Sequence, residues 1–168
     1  MRKAVISLGV IVFVFSMLAS LSLAAEKLAF VDLSRIFNEY TKTKDYDKAL
    51  ASKEGTYSTQ RDKKVNEVKQ FQDKMNLLQD KQKEEKKPEL ETKIKELQDF
   101  DRQVQTDLRK EQDEKMKELL KDIEEAVKQY AEKEGYTLVF NDRVLVYQAK
   151  KMDISGEVIK ILNKSYKE

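Results

Sequence analysis

Across residues 35–134 only Gly55 and Pro88 oppose a helix, and that restricts the chain more than any other feature. Tyr46, Leu50, Tyr57, Val65, Val68, Phe71, Met75 and Leu78 recur mostly at spacings of three, four or seven. Leu90, Ile94, Leu97, Val104, Leu108, Met116, Leu119, Ile123, Val127 and Tyr130 form a second stripe of the same kind. Each stripe is thin, the pattern of a helix that buries one narrow seam. Residues 80–89 hold no apolar side chain, and Pro88 suits the first turn of a new helix while forbidding continuation of the old one. The reversal is therefore expected at Glu85 to Pro88, between two helices of roughly 45–50 residues and about 70 Å. An arm of that length has to stand in solvent. Gly55 reads either as a soft point or as a tolerated exposed glycine.

The two ends of the chain have a different texture. Lys27 to Leu33 reads KLAFVDL, a short apolar run suited to a strand, and Ser34 can cap the helix that follows. Gly135 has the placement of a glycine C-cap. Tyr136 to Phe140 and Val144 to Gln148 then flank Asn141-Asp142-Arg143, a β-hairpin signal. Asp153 can cap a last amphipathic helix carrying Ile154, Val158, Ile161 and Leu162. The organisation expected is a body from residues 25–37 and 135–168 and a helical hairpin arm over residues 38–134.

That body cannot cover itself. Leu28, Phe30, Val31, Leu138, Val139, Phe140, Val144, Leu145, Val146 and Tyr147 put apolar side chains on both faces of three short strands, and one terminal helix covers one face. Leaving five of them wet would cost on the order of 10 kcal/mol, as much as a small domain's whole stability. Self-association is the expected remedy. The fold class expected is α+β: a small body of short strands completed by oligomerisation, with a long antiparallel coiled-coil hairpin arm per subunit.

Arg2 and Lys3 precede an uncharged run from Ala4 to Leu23 that ends Ser22-Leu23-Ala24, the layout of a signal peptide over residues 1–24. The small residues favour cleavage after Ala24 over a retained anchor, so the mature protein is expected to be exported. Cleavage removes Arg2 and Lys3 from the 33 basic residues, leaving 31 against 31 acidic ones. A neutral mature chain gives nucleic acid nothing long-ranged to bind, and it holds membrane contact to weak, local interactions.

Cysteine and histidine are both absent, so disulfides, thiolate nucleophiles and the commonest zinc ligands are excluded. No phosphate-cradling glycine loop occurs, and no cofactor is expected. The paired Glu124 and Glu125, or Asp32 beside Ser34, lie on helix surfaces or at a cap, where nothing encloses an acid and base. The reading is a non-enzyme. Tyr57, Phe71, Met75 and Phe100 are candidates for adaptable apolar contacts with an unfolded chain, although pairing inside the hairpin accounts for them as well. Lys81, Lys83, Lys86 and Lys87 near the tip are candidates for lipid headgroup contact, but neighbouring acids nearly cancel them.

AEKLAFVDLSRIF at Ala25 to Phe37, and GYTLVFNDRVLVYQAKKMDISGEVIKIL at Gly135 to Leu162, resemble the two ends of the Skp/OmpH family of periplasmic chaperones. The resemblance implies a homotrimer whose strands build one β-barrel body, with three arms enclosing a cavity. It further implies that unfolded outer-membrane proteins are held there without ATP and kept from aggregating in transit. Skp proper is markedly basic, whereas this mature chain is neutral. A periplasmic coiled-coil spacer with a folded partner is the alternative that the same helices allow.

Overall fold

The computed structural model describes residues 26–167, so the expected signal segment at residues 1–24 lies outside the described residues. Among those described, no helix is long and apolar enough to cross a membrane. The order is β1 (Leu28–Val31), α1 (Leu33–Glu39), α2 (Thr41–Asn76), α3 (Asp80–Glu134), β2 (Leu138–Asn141) and α4 (Ser155–Ser165). Two single-turn 3-10 helices, Asp142–Val144 and Lys150–Met152, lie between β2 and α4.

The arm is the antiparallel pair of α2 and α3, with 36 and 55 residues, or about 54 and 82 Å. Cross-arm ion pairs keep one register from the root to mid-arm: Lys42 with Glu118, Lys53 with Glu111, and Arg61 with Asp101. Gly55 passes through α2 without a break and nothing crowds the place of its missing side chain, so it is a tolerated glycine.

The reversal falls at Leu77–Gln79, not at Glu85 to Pro88. Gln79 and Gln82 form a reciprocal capping box, and Asp80 adds a carboxylate to the first turn, where the helix dipole favours it. Leu77 and Leu78 donate backbone hydrogen bonds to Lys74 and Met75 at 3.2 and 3.0 Å, closing α2. Pro88 then lies inside α3, where its ring nitrogen gives Glu84 no hydrogen bond. Pro88→Ala should therefore stabilise this end of the arm by about 1–3 kcal/mol. The gain should appear as slower amide exchange over residues 80–95, and unchanged exchange there contradicts it.

A second departure is the break at Tyr40, which interrupts the helix expected to run on from Arg35. Tyr40 is extended, at φ −72° and ψ 122°. Asn163 of α4 bridges the break, accepting from the Thr41 amide at 2.7 Å and donating to the Glu39 carbonyl at 3.1 Å. Backbone groups freed by ending one helix and starting another are thereby satisfied. Asp32, not Ser34, caps α1 by accepting from the Arg35 amide at 2.9 Å.

β1 and β2 pair in parallel, Leu28 opposite Leu138 through Val31 opposite Asn141. A parallel pair needs a long crossover, and here the crossover is the entire arm. Gly135 closes α3 in the left-handed conformation at φ 74°, as its placement implied. The hairpin partner expected at Val144 to Gln148 is not a strand. The Asn141 side chain accepts from the Arg143 amide at 3.2 Å and holds a 3-10 turn, and the chain next meets β1 as an isolated bridge from Asp153 to Phe30. One chain therefore contributes two strands to a sheet rather than three.

The core lies where the sheet, α1, α4 and the root of α3 meet. Ile36, Ile123 and Val158 are fully buried among Ala29, Val31, Ile154 and Leu162. Tyr40, Leu119 and Ala126 belong to the same cluster, so it draws on segments that the sequence assigns to the arm. Asp153 accepts from the Ser155 amide at 2.8 Å and so serves the start of α4. The buried Ser155 hydroxyl in turn accepts from the Asp32 amide at 2.8 Å, tying α4 to the end of β1.

Candidate functional site

Two surfaces stand out, an apolar face on the body and the arm itself. On the body, Phe30 and Val31 are buried within the chain, and Leu28, Val139 and Leu145 are half-buried. Leu138, Phe140 and Val144 are exposed, Tyr147 is 86% exposed, and Val146 is fully so. Of the ten residues assigned to a common body, two are thus covered by their own chain. The five exposed ones lie on β2 and in the segment that follows it.

On the arm, Tyr57, Phe71 and Phe100 are half-buried. Met75, beside the reversal, is buried at 8% exposure. Leu77 at the reversal and Met116 near the root are the arm's exposed large apolar residues among those described. The lysines expected at the tip begin α3 instead. Lys83 pairs with Asp80, Lys86 with Glu89 at 2.7 Å, and Lys87 with Glu84. Lys81 is left as the one open cation of the four, so the local charge is largely spent within the helix.

The root of the arm holds a polar cluster that the periodicity did not show. The Lys42 ammonium donates to Asp122 at 2.6 Å and lies 2.8 Å from Glu118. The Tyr40 hydroxyl donates to Asp122 at 3.1 Å, and Tyr166, just past α4, meets the Tyr40 ring edge-on at 6.1 Å. Burial, followed by that carboxylate bond, pushes the Tyr40 hydroxyl up to about 12. Burial disfavours the charge on Lys42, but hydrogen bonds to Asp122 and Glu118 outweigh it and raise its pKa. Hydrogen bonds from Lys42 and then Tyr46 hold Glu118 down at about 2. The signal available in the sequence was Glu118 and Asp122, four apart on one helical face.

Groups held so firmly in one protonation state brace a joint and do not shuttle protons. Because the folded pKa of Glu118 lies below its ordinary value of 4.5, its contribution is complete above about pH 4.5. That contribution is lost as pH falls toward 2. In Lys42→Met the acid-side decline in melting temperature should be shallower than in wild type over that interval. Parallel declines would contradict the assignment.

No group of three or more carboxylates among the described residues is arranged to hold a metal ion. One open cleft, where the root of the arm meets α4, is lined by Lys42, Asp122, Glu125 and Gln129 together with Ile161 and Leu162.

Comparison with known proteins agrees with this architecture. No curated protein matches the chain. A crystal structure from Caulobacter crescentus CB15, described as an outer membrane chaperone (OmpH-like), superposes with a TM-score of 0.72. It covers 84% of this chain and 86% of that one at 11% identity, which is a likeness of fold. The model of the family described as Outer membrane protein (OmpH-like) matches residues 27–162, from β1 into α4. The chain therefore belongs to the OmpH-like outer membrane protein family.

Proposed function

We propose that this protein is a periplasmic, ATP-independent holdase that binds unfolded outer-membrane proteins and keeps them from aggregating on the way to the outer membrane. The observation that carries the reading is a long two-helix arm projecting from a body whose own apolar face is uncovered. Beyond its root, where Leu119, Ile123 and Ala126 join the core, the arm has most of its length available for another molecule. Many weak contacts along it hold a client collectively and release it singly, so nucleotide is not required.

The body face supplies the other half. Leu138, Phe140, Val144, Val146 and Tyr147 are exposed, at roughly 1.5–3 kcal/mol each if left in water. Joining copies of the chain covers them, and the backbone after the 3-10 turn is free to extend the sheet of a neighbour. A homotrimer with a shared β-barrel body is the assembly proposed, its arms standing around a common space. The work is binding and not catalysis.

The test is dilution of a urea-unfolded porin into buffer with and without the secreted form. Near-stoichiometric amounts should abolish the rise in light scattering. Undiminished aggregation would sink the holdase and leave the spacer.

A further inference from the structure

The arm exposes little apolar surface, yet its aromatic rings are not sealed in the seam. Tyr57, Lys64 and Phe71 follow one another at intervals of seven on α2, as do Lys93 and Phe100 on α3, so each set shares one side of its helix. Across the hairpin the Lys64 ammonium lies over the Phe100 ring at 5.6 Å, and the Lys93 ammonium lies over Phe71 at 5.7 Å. Nearer the root Lys115 covers Tyr46 at 4.3 Å. Tyr57 meets Phe100 edge-on at 6.4 Å. What lies over Phe71 and Phe100 is therefore a pair of half-buried lysine side chains, whose individual contacts with the rings are weak.

From this geometry we infer that the aromatic row Phe71, Phe100 and Tyr57 is a binding track for unfolded chain, with Lys93 and Lys64 as its movable covers. The inference rests on the holdase reading and adds to it the chemistry of what is bound: aromatic or apolar side chains flanked by carboxylates. An incoming ring takes the aromatic surface as the lysine swings aside. The displaced ammonium, still tethered a few ångströms away, then finds a carboxylate on the same incoming segment. Rings alone lack that second contact, and carboxylates alone do not displace the lysines from the rings. A chain neutral overall thereby selects for charge locally.

The experiment measures binding of soluble unfolded peptides to the secreted protein by fluorescence anisotropy. In one peptide Phe alternates with Asp; in two others Asn replaces Asp, or Ser replaces Phe. Wild type should bind the Phe/Asp peptide most tightly. Lys64→Gln with Lys93→Gln should weaken that peptide at least about five-fold while leaving the Phe/Asn peptide as tight as before or tighter. Phe71→Leu with Phe100→Leu keeps the apolar volume but removes the rings, and should weaken both Phe-bearing peptides. Equal loss for all three peptides in the lysine variant, or no loss, overturns the track, as does a Ser/Asp peptide that binds as well as Phe/Asp. Lys64 and Lys93 are half-buried, so circular dichroism is read alongside, and a lysine variant with wild-type helical content makes any loss a loss of binding. A wild type that fails to protect an unfolded porin refutes the holdase itself; a protective wild type matched by every variant refutes only the track.

Discussion

Val146→Asp is expected to reduce the secreted protein to monomers while leaving each chain folded. Val146 is fully exposed in the single chain, so a carboxylate there meets only water and costs the chain almost nothing. In the proposed assembly the same position is buried against a neighbour, and an unpaired charge costs more than about 3 kcal/mol per copy. Repeated by symmetry around a closed ring, that penalty exceeds what the remaining contacts can offset. Sedimentation should report the monomer mass, with helical content by circular dichroism near that of wild type. A variant that keeps the wild-type mass would show that the exposed face is not what joins the copies.

Ile123→Ala should produce the largest loss of stability from a single truncation. Ile123 is 2% exposed and packs in the cluster formed by β1, α1, α3 and α4. Deleting its outer carbons leaves a void lined by neighbours from several elements, which cannot all move in together. The expected cost is about 2–5 kcal/mol, read from the midpoint of urea unfolding. The same truncation at Val104, half-buried in the arm, should cost about half as much or less, because solvent and mobile side chains refill the space. Equal costs would mean that the seam of the arm is packed as tightly as the body.

The periodicity of the chain was enough to show two long helices lying against each other, and Gly135 marked the end of the second, because both are local properties of sequence. The position of the reversal was not legible. Pro88 is the strongest helix breaker in the segment, yet a capping box from Gln79 and Gln82, with Asp80 beside it, starts α3 well before it. Glutamine is a weak cap by composition, and its effect comes from reciprocity with its partner. The strand expected over Val144 to Gln148 failed for another reason. Alternating apolar residues describe a segment that suits a sheet, but whether it becomes a strand depends on an available edge.

At the arm, the sequence identified Tyr57, Phe71 and Phe100 as candidates without showing what lies over them. Lys64 and Lys93 look like ordinary solvated positions in a row of charges. Only the antiparallel register brings each of them over a ring on the opposite helix. The root cluster was hidden likewise, since Lys42 is far in sequence from Glu118 and Asp122. Charges that are unremarkable in a helix acquire a partner only when two helices are aligned.

The hairpin's two helices enter the body on unequal terms. α3 runs without interruption from the reversal to the core, whereas α2 stops at Tyr40 and restarts as α1. Mechanically the arm is a cantilever clamped through one rod, its second member pinned at a joint by Asn163. A sideways load at the tip enters the core directly through α3, while α2 passes its share across at the joint through Tyr40 and Lys42 to Asp122. The one interruption in the backbone thus makes α3 the member that carries the arm.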